Sequence, residues 1–194
     1  MAHGRTRSAI GLAAALLALA NGCAKRTATA VPPPPPSVAA AKPNTSVIAG
    51  AAPCDQSLWS HVYHPNRLQV QNPCVTVTGT FVDATGGKRK DGVRKEADGD
   101  THGWLKLDAG QEQFLNAGNL KAEEGNLVFE IVCHFSVTEK GSSRADILKA
   151  CKSYKSKVAL PKVGSHVAIT GSWVLDDNHD RWFEIHPVTA ILVK

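Results

Sequence analysis

Between Val75 and Asp83 apolar and polar residues alternate, with Val75, Val77 and Phe81 on one side and Thr76, Thr78 and Thr80 on the other. That is the pattern of a half-buried strand. A second strand is predicted from Gly103 to Asp108, with Leu105 and Leu107 opposed to His102, Trp104, Lys106 and Asp108. The run Asn126–Phe135 is rich in β-branched and aromatic residues and predicts a third strand. His166–Leu175, with Val167, Ile169 and Trp173 inward, and Arg181–Val193 predict two more. Helical spacing is weaker. Asp55–Val62 predicts a short helix, Gln111–Leu120 a short helix or irregular crossing, and Ser143–Tyr154 a helix with Ser143 as N-cap and Asp146 at N3.

The first fifty or so residues carry no such pattern. Met1–Ala20 has a basic start at Arg5 and Arg7, then an uncharged apolar run from Ala9 to Ala20, the outline of a secretory signal too short to span a bilayer. Two endings fit. Ala18-Leu19-Ala20 is an A-x-A cleavage site that would free a soluble, secreted protein. Leu19-Ala20-Asn21-Gly22-Cys23 resembles a bacterial lipobox, in which Cys23 is lipidated, palmitate included, and becomes the N-terminus. The second is favoured, because Cys23 is otherwise an odd thiol. Residues 1–22 are then the signal peptide and 23–53 a lipidated spacer rich in Pro and Ala. The run Pro32–Pro36 keeps that spacer extended. The expected address is the cell envelope, with the lipid in a membrane and residues 54–194 forming one domain facing the periplasm or the exterior.

Charge changes this picture little. Arg5 and Arg7, lost with the signal, remove two from the formal +5, and the remainder does not argue for a nucleic-acid partner. Its distribution matters more, since Lys88–Lys95 holds five bases against Asp91. With Cys23 set aside, Cys54, Cys74, Cys133 and Cys151 form an even set in an exported chain. Three pairings are possible. Cys133 shares strand phase with Phe129, Ile131 and Phe135, and Cys151 follows Ile147 by four and Leu148 by three, so these two are expected to meet inside. Cys54 would then join Cys74 outside. No CxxC is present, so thioredoxin or structural-zinc chemistry has no support.

Three strands, a helix and two further strands make the order of the OB-fold, a five-stranded Greek-key barrel whose helix lies between strands three and four. Val163–Gly171 also looks like the fourth strand of many OB domains. The domain resembles that of exported bacterial OB-fold lipoproteins of uncharacterised function. The resemblance implies a mainly β barrel that takes ligand across strands two and three, between the loops joining strands one and two and strands four and five. Here those are the basic loop Gly86–Ala97 and the turn Asp176–Asp180, beside the face residues Trp104, Lys106, Glu130 and His134. Lys88, Arg89, Lys90, Arg94, Trp104 and Lys106 are the candidate ligand-binding residues, with Trp104 stacking and the bases pairing with a small anionic ligand. For the basic loop the bland alternative is a solvated hairpin tip.

Asp98-Gly99-Asp100-Thr101 resembles the D-G-D-T turn of the staphylococcal-nuclease family, itself an OB-fold, in which the aspartate beside the threonine binds Ca²⁺. The resemblance carries that role to Asp100. Asp108 and Glu112 are the acids that follow, without the family's D-x-P-E context or its arginines. Asp-Gly-Asp is also a good turn in its own right. A second cluster, Trp182, Glu184 and His186, shares one face by period two. If it met Asp98, Asp100 and His102, a mixed N/O set suited to Zn²⁺ would result, although strand one is expected to lie between them. Read conservatively, His186 bonds a backbone carbonyl and Glu184 pairs with Arg181 or a lysine. The favoured expectation is a non-catalytic, lipid-anchored envelope module that binds a protein partner or small anionic ligand and needs no cofactor. The alternative is a phosphodiesterase or nuclease-like enzyme using Asp98, Asp100, His102 and a Ca²⁺ or Zn²⁺ ion.

Overall fold

The computed structural model describes residues 53–88 and 91–194. The signal, Cys23, the spacer as far as residue 52, and Arg89 and Lys90 lie outside the described residues. Among those described, no helix is long and apolar enough to cross a membrane. The strands are β1 (Leu68–Val82), β2 (Arg94–Lys95), β3 (Thr101–Leu107), β4 (Leu127–Ile131), β5 (His166–Asp176) and β6 (Phe183–Val193); the α-helices are α1 (Ala117–Ala122) and α2 (Arg144–Ala150).

Hydrogen bonding runs β1-β5-β6-β4-β3, and β3 returns to β1, so five strands close a barrel. All its pairings are antiparallel except β4 with β6. This is the mainly β, OB-fold-like architecture expected, with α2 between the third and fourth barrel strands. β2 is a two-residue addition to β3 that folds the basic loop back onto the barrel.

The inner face is apolar throughout. Val75, Val77, Phe81, Leu105, Phe129, Ile131, Val167, Ile169, Ile185 and Val188 fill it, and Val93 from the basic loop joins them. Gly103 is required here, because a Cβ on it would stand 2.3 Å from the Phe129 ring. β1 begins at Leu68, seven residues before its alternation starts. Its register shifts at Asn72 and again before Val75, and Pro73 falls at that interruption, where a missing N–H is tolerated.

Both disulfides are as expected, Cys54–Cys74 and Cys133–Cys151. The phase argument holds only in part. β4 ends at Ile131 and Cys133 has a positive φ of 50°, so its side chain is placed by a turn and not by strand alternation. Leu148 is exposed, and Ile147 is the buried residue of α2. The Asp55–Val62 segment is a 3-10 turn (Gln56–His61), capped by the Asp55 side chain. The Gln111–Leu120 crossing divides into a 3-10 turn (Glu112–Phe114) and α1.

The outer face of the same strands is also covered. Leu58, Val62, Leu68, Val132 and Val174 form one apolar cluster beneath the N-terminal arm, with Trp59 and Tyr154 against it. Trp104, Val128 and Trp182 form another.

Candidate functional site

Strand phase and register assemble a charged group on this outer face. His102 of β3 stands directly across from Glu130 of β4. β4 runs parallel to β6 with Val128 opposite Glu184 and Phe129 opposite Ile185, which carries Glu130 beside His186. Asp100 enters from the turn before β3. His102, Glu184 and His186 have no exposed surface, and Asp100 and Glu130 are buried. His186 Nδ1 lies 2.9 Å from Glu130 Oε2 and 3.0 Å from Glu184 Oε1. His102 Nδ1 lies 3.2 Å from Glu130 Oε1 and 2.9 Å from Arg94 Nη2. Trp182 Nε1 donates to Glu184 Oε2 at 2.8 Å, and the Cys133 N–H donates to Asp100 Oδ1 at 2.6 Å.

The turn bearing Asp98 and Asp100 is pinned from both sides. Gly99 N–H donates to the Glu96 carbonyl and Phe135 N–H to the Gly99 carbonyl, while Thr138 and Glu139 N–H both donate to the Ala97 carbonyl. Gly99 has φ of 98°, and a Cβ there would meet the Phe135 carbonyl at 2.9 Å. Asp98 Oδ1 accepts from the Asp100 N–H. Arg94 belongs to the paired strand β2, and its Nε donates to Glu96 Oε1 at 2.5 Å. The loop is therefore neither a free hairpin tip nor a mobile platform at these positions.

Crowded carboxylates in a dry setting shift one another. Burial, reinforced by the charges of Asp98 and Glu130, pushes the Asp100 carboxyl up to about 8. Burial raises Asp98 as well. Burial disfavours charge on His186, but the adjacent Glu130 and Glu184 carboxylates outweigh it and raise its pKa to about 10. Burial opposes charge on Glu130 too, yet His186 and His102 hold it well below the ordinary glutamate value. These shifts favour a proton on Asp100 and an ion pair between Glu130 and His186.

One side opens to a cleft of about 260 Å³, lined among others by Tyr63, Arg67, Arg94, Asp98, Glu130 and His179. Arg67 pairs with the buried Asp176 and approaches Glu130 at 3.7 Å. His179 Nδ1 lies 2.7 Å from Asp176 Oδ2, and its ring stacks on Trp182 at 5.1 Å. Tyr63 and Arg67 also line a larger cavity of about 730 Å³, together with His64, Asn66, Lys149 and Asn178.

Of the expected mixed N/O set, Asp100 and His186 come within ligand distance of each other, together with Glu130, while His102 and Glu184 reach the group through Glu130 and His186 and Asp98 stands at the rim. The bridging strand is β4, not the first strand, and Glu130 is the hub that the predicted ligand set omitted. It is the one charge in the run LVFEIVCHF, and that was the signal. Arg67 was missed because nothing local marks it; Asp176 and His179 belong to the turn expected beside the ligand. The conservative reading of the second cluster is corrected too: His186 bonds carboxylates, Glu184 takes Trp182 and His186, and Arg181 pairs with Asp177.

The ligand-binding set divides. Trp104 cannot serve as a stacking platform, because it is buried and donates its indole N–H to Glu123. Lys88 is exposed on the loop, Lys106 sits at a separate pocket with Asp83 and Asn126, and among the described members of the set only Arg94 reaches the cleft; Arg89 and Lys90 lie outside the described residues. The nuclease carry-over fails beyond Asp100. Asp108 Oδ2 accepts from Thr78 Oγ1, and its carboxylate contacts His166; Glu112 accepts from the Gly110 N–H. At about 3.3 Å per strand residue, Asp108 lies on the order of 25 Å along β3 from Asp100, too far to share an ion. Comparison of this chain with family models, curated proteins and solved structures found no match.

Proposed function

We propose that this chain is an exported, lipid-anchored envelope module that binds and does not catalyse, taking a small anionic ligand or an acidic segment of a protein partner. The observation that carries this reading is the pair of adjacent cavities that share Tyr63 and Arg67 as lining, one bordered by the β2–β3 loop and the other by the β5–β6 turn. An OB barrel takes ligand between those two loops. Lys149 and His64 supply donors there, and Tyr63 supplies a ring. Against phosphoryl transfer, Arg67 and Arg94 are already committed to Asp176 and Glu96, so neither is free to meet charge developing on a substrate. The lipobox-like Leu19–Cys23 and the proline-rich spacer support the anchor.

Cys23→Ala should move the protein from the membrane pellet to the soluble fraction, and the wild-type protein should leave single-stranded DNA and a bis-aryl phosphodiester intact. Membrane retention of the variant removes the anchor from the proposal. Turnover that is lost in Asp100→Asn, with the circular dichroism unchanged, replaces binding by catalysis.

A further inference from the structure

We infer that Asp100, Glu130 and His186 form a binding site for one divalent transition-metal ion of the Zn²⁺ type. One ligand atom from each lies within 4.8 Å of the other two, and all three residues are buried. A tetrahedral ion with bonds of about 2.0 Å needs its ligand atoms about 3.3 Å apart. Glu130 Oε2 and His186 Nδ1 are already at 2.9 Å, so only Asp100 has to close in. Two carboxylates with an imidazole suit zinc; a site for Ca²⁺ would offer oxygens alone, and more of them.

Hydrogen-bond accounting points the same way. His186 Nδ1 stands within 3.0 Å of two carboxylate oxygens, yet one N–H can be directed at only one of them. His102 Nδ1 faces a contradictory pair, Arg94 requiring an acceptor and Glu130 a donor. An ion taking the His186 Nδ1 lone pair and a Glu130 oxygen replaces the one proton that Nδ1 would otherwise have to share between Glu130 and Glu184.

Charge balance adds a third, independent argument. Asp98, Asp100, Glu130 and Glu184 are four acidic side chains around two imidazoles, with Arg67 reaching Glu130 only at 3.7 Å while it pairs with Asp176, and Arg94 paired with Glu96. Glu130 also lines the cleft, which gives the ion a path in and leaves a coordination position for a bound anion. The grouping of Asp100 with Cys133 and Cys151 offers nothing comparable, because both sulfurs are spent in a disulfide.

The full chain, produced under conditions that form both disulfides, is stripped with chelator and dialysed against Zn²⁺. One equivalent per chain is expected by elemental mass spectrometry. Binding should weaken at least tenfold in Glu130→Gln and in His186→Gln, since even loss of an outer-shell partner costs about 10–100-fold. Asp108→Asn, altering the exposed Asp108–His166 pair, should leave binding unchanged. Should either site variant misfold, Co²⁺ added to the wild-type protein must give the absorption of a tetrahedral N/O site. It must also quench Trp182, which donates to Glu184. No uptake, equal uptake by Glu130→Gln and wild type, a Co²⁺ spectrum of the hydrated ion, or preference for Ca²⁺ each overturns the inference. The site does not rest on the binding reading: phosphodiester turnover would end that reading and leave the metal standing.

Discussion

The inner face of the barrel and the stretch of outer face around Glu130 and His186 are both closed to water, but they are closed by opposite chemistry. Inward, β1, β3, β4, β5 and β6 present a row of aliphatic and aromatic side chains with no charge among them. Outward, β3, β4 and β6 present His102, Glu130, Glu184 and His186, joined by Asp100 from the turn before β3 and flanked by two smaller apolar clusters. The inner face makes the barrel; the outer face spends stability on a buried polar group, because desolvating charge is recovered only when partners are well placed. Alternation along a strand therefore assigns a side chain to a face. It does not say whether that face is wet.

The largest difference should appear with pH. In chelator, Asp100 and His186 both hold protons in the folded state that the unfolded chain gives up near the ordinary values of 3.8 and 6.5. The stability due to His186 is complete below about 6.5 and is lost as pH rises toward its folded value of about 10; that due to Asp100 declines from about 4 to 8. Both trends have the same sign, so the thermal midpoint should fall steadily from pH 6.5 to 10. Glu130 acts on the other limb, its contribution disappearing as pH drops below the ordinary glutamate range. A flat alkaline limb would mean that the outer group is hydrated like a surface cluster, and the contrast between the faces would collapse.

Phe129→Ala tests the inner face, where the ring packs against Gly103 and lies 5.8 Å from the Phe81 ring. Denaturant unfolding should show a loss of about 3–5 kcal/mol, with little change in pH response. Trp104→Phe tests the outer face with nearly the same apolar bulk retained. It deprives the buried Glu123 of its indole donor, and a loss of about 1–3 kcal/mol is expected. A loss below about 0.5 kcal/mol, the range of an ordinary surface substitution, would mark Trp104 as solvent-facing after all.

Strand order, barrel closure and both disulfides were legible because each follows from local alternation and from cysteines that had few ways to pair. Even the inward phase of Ile185 against Glu184 and His186 could be read from period two. The state of the outer face could not. Its cover comes from residues 54–67 and from the stretch around α2, brought there by turns and disulfides far along the chain, and Trp104 looks the same on paper under a lid or in water. The junction of the two acidic clusters depended on which strand lies between them. With β4 in that place, its single glutamate became the centre of the site; had β1 intervened, Thr76 and Thr78 would have separated the groups.

The Cys54–Cys74 bridge has a mechanical consequence. The arm from Asp55 to Arg67 lies over the outer group, and a pull on the chain just ahead of Cys54 would ordinarily peel it away one contact at a time. The bridge offers tension a shorter route, through the two sulfurs and into β1 at Cys74, next to the stretch from Val75 onward that is laddered to β5. There the load is carried in shear by several backbone hydrogen bonds at once, and the arm is left slack. Whatever tugs on the leading end of this domain strains the barrel wall before it disturbs Arg67 or the carboxylates beneath.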